Sequence, residues 1–261
     1  MPAVYAHYRF GAAMLNTMPA DIRRIAKRYR RLYDVGLHGP DLFFYYNPLR
    51  HRKFGTLGSW IHHQPGKDFF GRACRSLRLE PSEGAEAYLY GVLCHYALDA
   101  ACHPFIWEQD RLGMGEHIEM ETEFDRYLLE TDGKIPPENQ SMSQHLLLNA
   151  AECEVAARFY PEVTGKVIDR SVRHMKLANK VMAVRGKTAR NLLQNGLGLA
   201  DWSYRGFIMT EKPNPNCCQF NKPIMELYKK AEEKFPGLLM QLSAHLTYNA
   251  PLGTDFSATF G

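Results

Sequence analysis

The sequence has 261 residues, 45% hydrophobic and 23% charged, an ordinary globular composition that excludes wholesale disorder. Thirty-two basic against 28 acidic side chains leave a charge of +4, too mild by itself to imply a nucleic-acid partner. The longest wholly apolar or aromatic stretch runs only from Leu42 to Tyr46, so no membrane-spanning helix is expected.

Helical spacing dominates the chain. Pro19 to Asp34 carries Ile22, Ile25, Ala26 and Tyr29 at helical intervals, with basic residues between them. Gly36 to Ser59 reads as a long ordered loop, because it holds Leu42, Phe43, Phe44, Tyr45 and Tyr46. Gln64 to Leu79 predicts a helix with Pro65 near its first turn. Gly84 to Cys102 predicts another that stops before Pro104. Glu116 to Glu130 follows, with Ile118, Phe124, Tyr127 and Leu128 available for packing. Met142 to Tyr160 and Val163 to Val184 predict two more, divided at Pro161. Pro223 to Phe235 and Gly237 to Leu246 form a last pair. Residues 131–141 and 211–223 are turn-rich connectors. With little alternating pattern, the expected fold is all-α, a multi-helix bundle in one domain over 1–261.

The N-terminus, MPAVYAHYRFGAAM, lacks the basic start and apolar block of a secretory signal. Six cysteines at irregular spacings make no CxxC pair and no disulfide framework. Both features lead to the expectation of a cytoplasmic protein.

The chemistry-bearing pattern begins at His95, Asp99 and His103, in HYALDAACH. Their i, i+4, i+8 spacing places an imidazole, a carboxylate and an imidazole along one helical face. The next helix supplies His117 and Glu121, again i, i+4. Two helices bearing such stripes can close around metal ions in a bundle core, and zinc accepts both donor types. An exposed ion pair would account for one such pair but not for the whole set. Three further segments offer completing groups. They are His7 in AHYRFG, Asp41 after the Gly39-Pro40 turn, and His62 or His63 in WIHHQ. A carboxylate beside an aromatic run is costly to bury unpaired. Glu119, Glu123 and Asp125 are read as solvated surface, with the alternative that one of them supports the ligands from behind. Phe43, Phe44, Tyr45, Tyr46 and Trp60 divide between core packing and the wall of a substrate cleft, with Phe44, Tyr45 and Trp60 the candidate substrate contacts. Two basic clusters, Arg23 to Arg31 and Arg50 to Lys53, are solvated faces that offer at most a weak anionic surface contact. No nucleotide-binding loop and no GxSxG elbow is present.

In this order the residues resemble the zinc-dependent phospholipase C family, whose fold also serves the single-strand nucleases of the P1 type. The phrases YAHYRFG, GLHGPD and HIEMETEFDRYLL are similar to an intracellular bacterial branch of that family. The resemblance covers about residues 1–130, leaving 131–261 as supporting helices. It implies up to three zinc ions. Asp41, His62, His95 and Asp99 would hold one; His103, His117 and Glu121 a second; His7 and a bridging Asp99 would help hold a third. In the secreted enzymes a free N-terminal amine is a further ligand, whereas here six residues precede His7.

By the same resemblance the activity is hydrolysis of a phosphodiester by a metal-bound hydroxide, since zinc lowers the pKa of bound water from about 16 to about 7. Asp41 is then the candidate for orienting or deprotonating that water. The expected partner is a phosphodiester substrate, phospholipid or otherwise, with no stable nucleic-acid complex. Two alternatives accompany this reading: a single-strand nuclease on the same fold, and a non-catalytic protein that retains a structural metal.

Overall fold

A computed structural model describes residues 4–46, 53–183, 186–200 and 202–261. Among them the chain is all α, with no strand. The basic cluster from Arg50 to Arg52 lies outside the described residues.

The architecture is organised around one long helix. Helix α1 spans Val4–Thr17, α2 Ala20–Arg28, α3 Arg30–Gly36, α4 Lys53–His62, α5 Gly66–Leu79 and α6 Glu83–Arg111. Beyond these, α7 spans His117–Thr131, α8 Ala150–Ala157, α9 Gly165–Met182, α10 Lys187–Ala200 and α11 Asn221–Tyr248. Short 3-10 turns join them, the most important at Gly39–Tyr45. Nearly every residue of α6 from Gly84 to Asp99 is buried. A helix apolar all round belongs in the interior, and α6 packs against α1, α2, α3, α5, α7, α8 and α11. Its start is fixed by Ser82, whose hydroxyl accepts the Ala85 amide.

Several predicted boundaries are corrected. The helix expected over 19–34 breaks at Tyr29, whose backbone leaves the helical region and separates α2 from α3. Helix α6 does not stop at Pro104 but runs through it to Arg111, and α11 runs through Pro236. Proline removes one helical donor, but both rings are on exposed faces, and buried neighbours such as His103, Ile106, Phe235 and Leu238 hold the helix on either side. The segment 142–160 is helical only over α8. Helices α1, α4 and α10 were not anticipated, and α4 occupies part of the loop expected over 36–59.

The basic cluster on α2 and α3 is largely neutralised within the chain. Arg24 and Arg28 pair with Glu83, Arg30 with Asp34, and Arg31 with Glu152. All six cysteines are free, five of them buried. Among the described residues no helix is long and apolar enough to cross a membrane.

Candidate metal centre

Five elements bring eight of the sequence-predicted residues together along the middle of α6. Helix α1 supplies His7, the 39–45 turn Asp41, the last residue of α4 His62, α6 its three-residue stripe, and α7 the pair His117 and Glu121. Their donor atoms form three groups, each with all atoms within 4.8 Å of one another: His7, His95 and Asp99; Asp41, His62 and His95; His103, His117 and Glu121.

Asp99 joins the groups. Its Oδ1 lies 3.2 Å from His7 Nε2 and 3.7 Å from His103 Nε2. Its Oδ2 lies 3.0 Å from His95 Nε2 and 3.8 Å from His62 Nε2. Asp41 Oδ1 is 2.9 Å from His62 Nε2 and 4.0 Å from His95 Nε2. Glu121 Oε1 is 3.1 Å from His103 Nε2 and 3.2 Å from His117 Nε2.

Three imidazoles are oriented from behind. The Nδ1 of His62 lies 2.7 Å from the Gly58 carbonyl, that of His95 3.2 Å from Leu37, and that of His103 3.0 Å from Phe260. A carbonyl can only accept, so each Nδ1 carries the hydrogen, and in its neutral state each ring turns the Nε2 lone pair toward the carboxylates. Lone pair then faces lone pair at about 3 Å, which is unfavourable unless a cation lies between. Asp41 Oδ1, Asp99 Oδ2 and His95 Nε2 have no hydrogen-bond partner among the described residues despite burial.

This arrangement fits zinc. Tetrahedral ligands at ordinary zinc–nitrogen and zinc–oxygen distances sit about 3.3–3.5 Å apart, close to the spacings here. His7, Asp99, His103 and Glu121 also border an internal space of about 20 Å³, room for one ion or water.

Without a cation the cluster answers its own charge with protons. Burial pushes the Asp99 carboxyl up, but the His103, His95 and His7 imidazoles outweigh it and hold it well below the carboxylate range. Asp41 and Glu121 are lowered against burial by neighbouring positive charge, with His95 and His62 contributing at Asp41 and His117 and His103 at Glu121. His103 moves oppositely. Burial pushes it down, but Asp99 and Glu121 lift it to about 9.

The turn carrying Asp41 needs its glycine. Gly39 has φ +40°, in the left-handed region, and a Cβ there would come 2.9 Å from the His95 ring. The turn thus lies directly on the imidazole it helps to surround.

A cleft of about 570 Å³ opens over the His103 group, bordered by Phe44, His63, Trp107, Glu116, His117 and Gly261 among others. Phe44 lines it and tilts against His62 at 5.4 Å. Tyr45 is buried, and Trp60 is exposed with Arg72 over its ring; neither lines this cleft. Of the adjacent pair, His62 enters the cluster. His63 is exposed, and its Nδ1 donates to the Ser59 carbonyl.

Some contributors escaped the sequence reading. Asp125 is buried, not solvated as expected. It accepts the Tyr5 and Ala6 amides at 2.9 and 2.8 Å, capping the start of α1 next to His7. Burial, against those two donors, pushes its carboxyl up to about 8. Its signal was available, since it continues the His117, Glu121 stripe by one more turn. Glu123 is likewise buried, in a bidentate pair with Arg126. Glu119 is half-buried and accepts from Asn214. Trp107 extends the His95, Asp99, His103 stripe past Pro104 and packs 4.3 Å from His117. His38 points away from the three groups to His145, Nε2 to Nε2 at 2.7 Å. Phe260 and Gly261 arrive from the far end of the sequence and left no local signal.

No curated protein and no solved structure gives a significant match to this sequence. The family model for zinc-dependent phospholipase C matches residues 6–170, a span that contains every histidine and carboxylate of the three groups. On that match, and with the donor atoms converging as described, the chain belongs to the zinc-dependent phospholipase C family.

Proposed function

We propose that the chain is a zinc-dependent hydrolase of phosphodiester bonds, of the phospholipase C type, working at a centre of two or three ions. The observation that carries this reading is the joining of three donor groups through Asp99 and His95 beside an open cleft. Asp41, His62, His95 and Asp99 would hold one ion, His103, His117 and Glu121 a second, and His7 with Asp99 a third. Zinc bound there lowers the pKa of a water toward 7 and polarises a phosphoryl oxygen.

The chain's own residues do the rest. Leu37, Gly58 and Phe260 carbonyls fix the tautomer and aim of three imidazoles. Asp41 accepts a proton from or orients the attacking water through the carboxylate oxygen not given to the ion. Phe44 and Trp107 offer apolar walls to the substrate, and the cleft also carries Asp110 and Glu116. Tyr45 is too buried to touch substrate, and Trp60 would do so only outside the cleft. The substrate is a phosphodiester, phospholipid or otherwise.

The test begins with metal content of protein purified without chelator, beside a His95→Ala, His117→Ala double variant. Two or three zinc ions are expected, lost in the double variant. Hydrolysis is then compared on a chromogenic phosphodiester, phosphatidylcholine micelles and single-stranded DNA. Turnover should stop with chelator and return with zinc, and Asp41→Asn should lower kcat by about 10²- to 10⁴-fold while the fold persists. Cleavage of DNA alone would assign the nuclease reading. Metal retained with no turnover on any substrate would leave a structural site and sink the proposal.

A further inference from the structure

Residues 253–261 lie beyond the segment that matches the family model, yet they end inside the metal centre. Helix α11 stops at Asn249, in the left-handed region with φ 53°, and the chain then turns back across α5 and α6. The Tyr96 hydroxyl donates to the carbonyls of Asp255 and Ala258, at 2.8 and 3.2 Å. The Gly66 amide donates to Ala258 O, at 2.8 Å, and Thr259 bridges Pro65. The Phe256 and Phe260 rings are fully buried. Phe260 packs edge-on against Phe69 and Tyr96, with centroids at 5.5 and 4.9 Å. So anchored, the Gly261 amide reaches the His62 carbonyl at 3.1 Å, and the Phe260 carbonyl accepts from His103 Nδ1.

This contact has no substitute in its group. His62 and His95 are oriented by carbonyls within the matched segment. His117 Nδ1 has no hydrogen-bond partner among the described residues. His103 is therefore the one imidazole of the His103, His117, Glu121 group that is fixed from behind, and what fixes it is 157 residues away. The fit also depends on Gly261 having no side chain. A Cβ on Gly261 would fall 2.1 Å from His103 Nδ1 and 2.8 Å from its Cε1, and the ring is held on its other side by Glu121.

We infer that residues 253–261 are a positioning element of the metal centre, in which Phe260 fixes the His103 ring through its carbonyl and Gly261 leaves that ring room, so that this segment controls metal affinity at the His103, His117, Glu121 group. The inference rests on the proposed zinc centre. Its chemical basis is general: a metal-bound imidazole owes its tautomer and orientation to the acceptor on its other nitrogen, and losing that acceptor typically costs about 10- to 100-fold in affinity.

The experiment compares wild type, Gly261→Ala, Phe260→Leu and a chain lacking residues 258–261. Stepwise zinc affinities are measured by competition with a chromophoric chelator, and visible absorption is recorded on cobalt-substituted protein. Far-UV circular dichroism and melting in chelator report the fold. Gly261→Ala and the truncation should weaken one zinc step by about 10- to 100-fold, change the cobalt spectrum of that site, and leave the other step or steps unchanged. Phe260→Leu keeps the carbonyl and an apolar anchor and should bind as wild type or nearly so. Wild-type affinities in a folded Gly261→Ala chain would overturn the inference while leaving the zinc centre intact. Equal weakening of every step, in parallel with a lower melting temperature, would reduce the segment to a structural role and also overturn it. If wild type takes up no zinc, the proposed function falls first and this inference with it. Should the truncated chain fail to fold, Gly261→Ala decides.

Discussion

Asp99 and Glu121 are both buried carboxylates facing imidazoles, yet they are not equivalent. Asp99 divides its two oxygens between His7 and His103 on one side and His95 and His62 on the other. Glu121 presents one oxygen to His103 and His117. Asp99→Asn removes half of the shared acceptor set and the charge that two groups depend on, so it should cost more than one ion per chain. Glu121→Gln should cost one. Metal analysis of both variants under identical conditions checks this, and equal losses would mean that Asp99 does not bridge. The stripe that contains Asp99 was legible because its members share one helix, where spacing alone fixes direction. Asp125 and Trp107 continue the same two stripes by one turn each and could have been read the same way. Phe260 could not, because its role is carried by a backbone carbonyl and every residue type has one.

The element that sets the Asp41 to His95 geometry is the crossing of α3 and α6. A Cβ on Gly36 would come 2.3 Å from the Tyr88 carbonyl, and one on Gly91 2.3 Å from the Tyr33 carbonyl. The two backbones touch, and the chain leaving α3 delivers the Leu37 carbonyl to His95 and then turns at Gly39 into Asp41. Gly91→Ala has no flexible side chain to displace, so α6 and α3 must separate. Overpacking of this kind costs about 1–3 kcal/mol, and Gly91→Ala should lower the urea midpoint accordingly while weakening zinc binding at Asp41, His62 and His95. A variant as stable as wild type would show that the crossing is not tight. Neither glycine stands out in sequence, because close approach depends on what lies opposite. The prolines mislead for a related reason. Pro104 and Pro236 carry a strong local signal to stop, but exposure of the ring and burial of both neighbouring turns let α6 and α11 continue. Helix α1 was missed because it is apolar on much of its surface, and its start is capped by Asp125 from a distant helix rather than by its own sequence.

At the scale of the molecule, zinc and protons compete for the same buried cluster. Three carboxylates held beside the middle of α6 demand positive charge, and in the metal-free chain protonated imidazoles supply it. His103, lifted to about 9 by Asp99 and Glu121, is protonated in the folded metal-free chain across a range where the unfolded chain is not. The folded state then binds more protons than the unfolded one between pH 6.5 and about 9, so metal-free stability is fully present below that window and falls as pH rises through it. Zinc reverses the dependence, because it needs the neutral ring and its binding releases the proton. At a thousandfold excess over Kd each ion adds about 4 kcal/mol, which for a chain of this size is roughly 8–16 °C in Tm. The gap in Tm between zinc-loaded and chelator-treated protein should therefore be large and should widen from pH 6.5 to 9. Replacing His103 by Gln should flatten the chelated arm of that profile, since the proton it loses is the one His103 carried. Scanning calorimetry of both proteins across the window is the check. A gap that stays constant with pH would mean that His103 is neutral in the metal-free fold, and that the cluster is held together by something other than the competition between protons and metal.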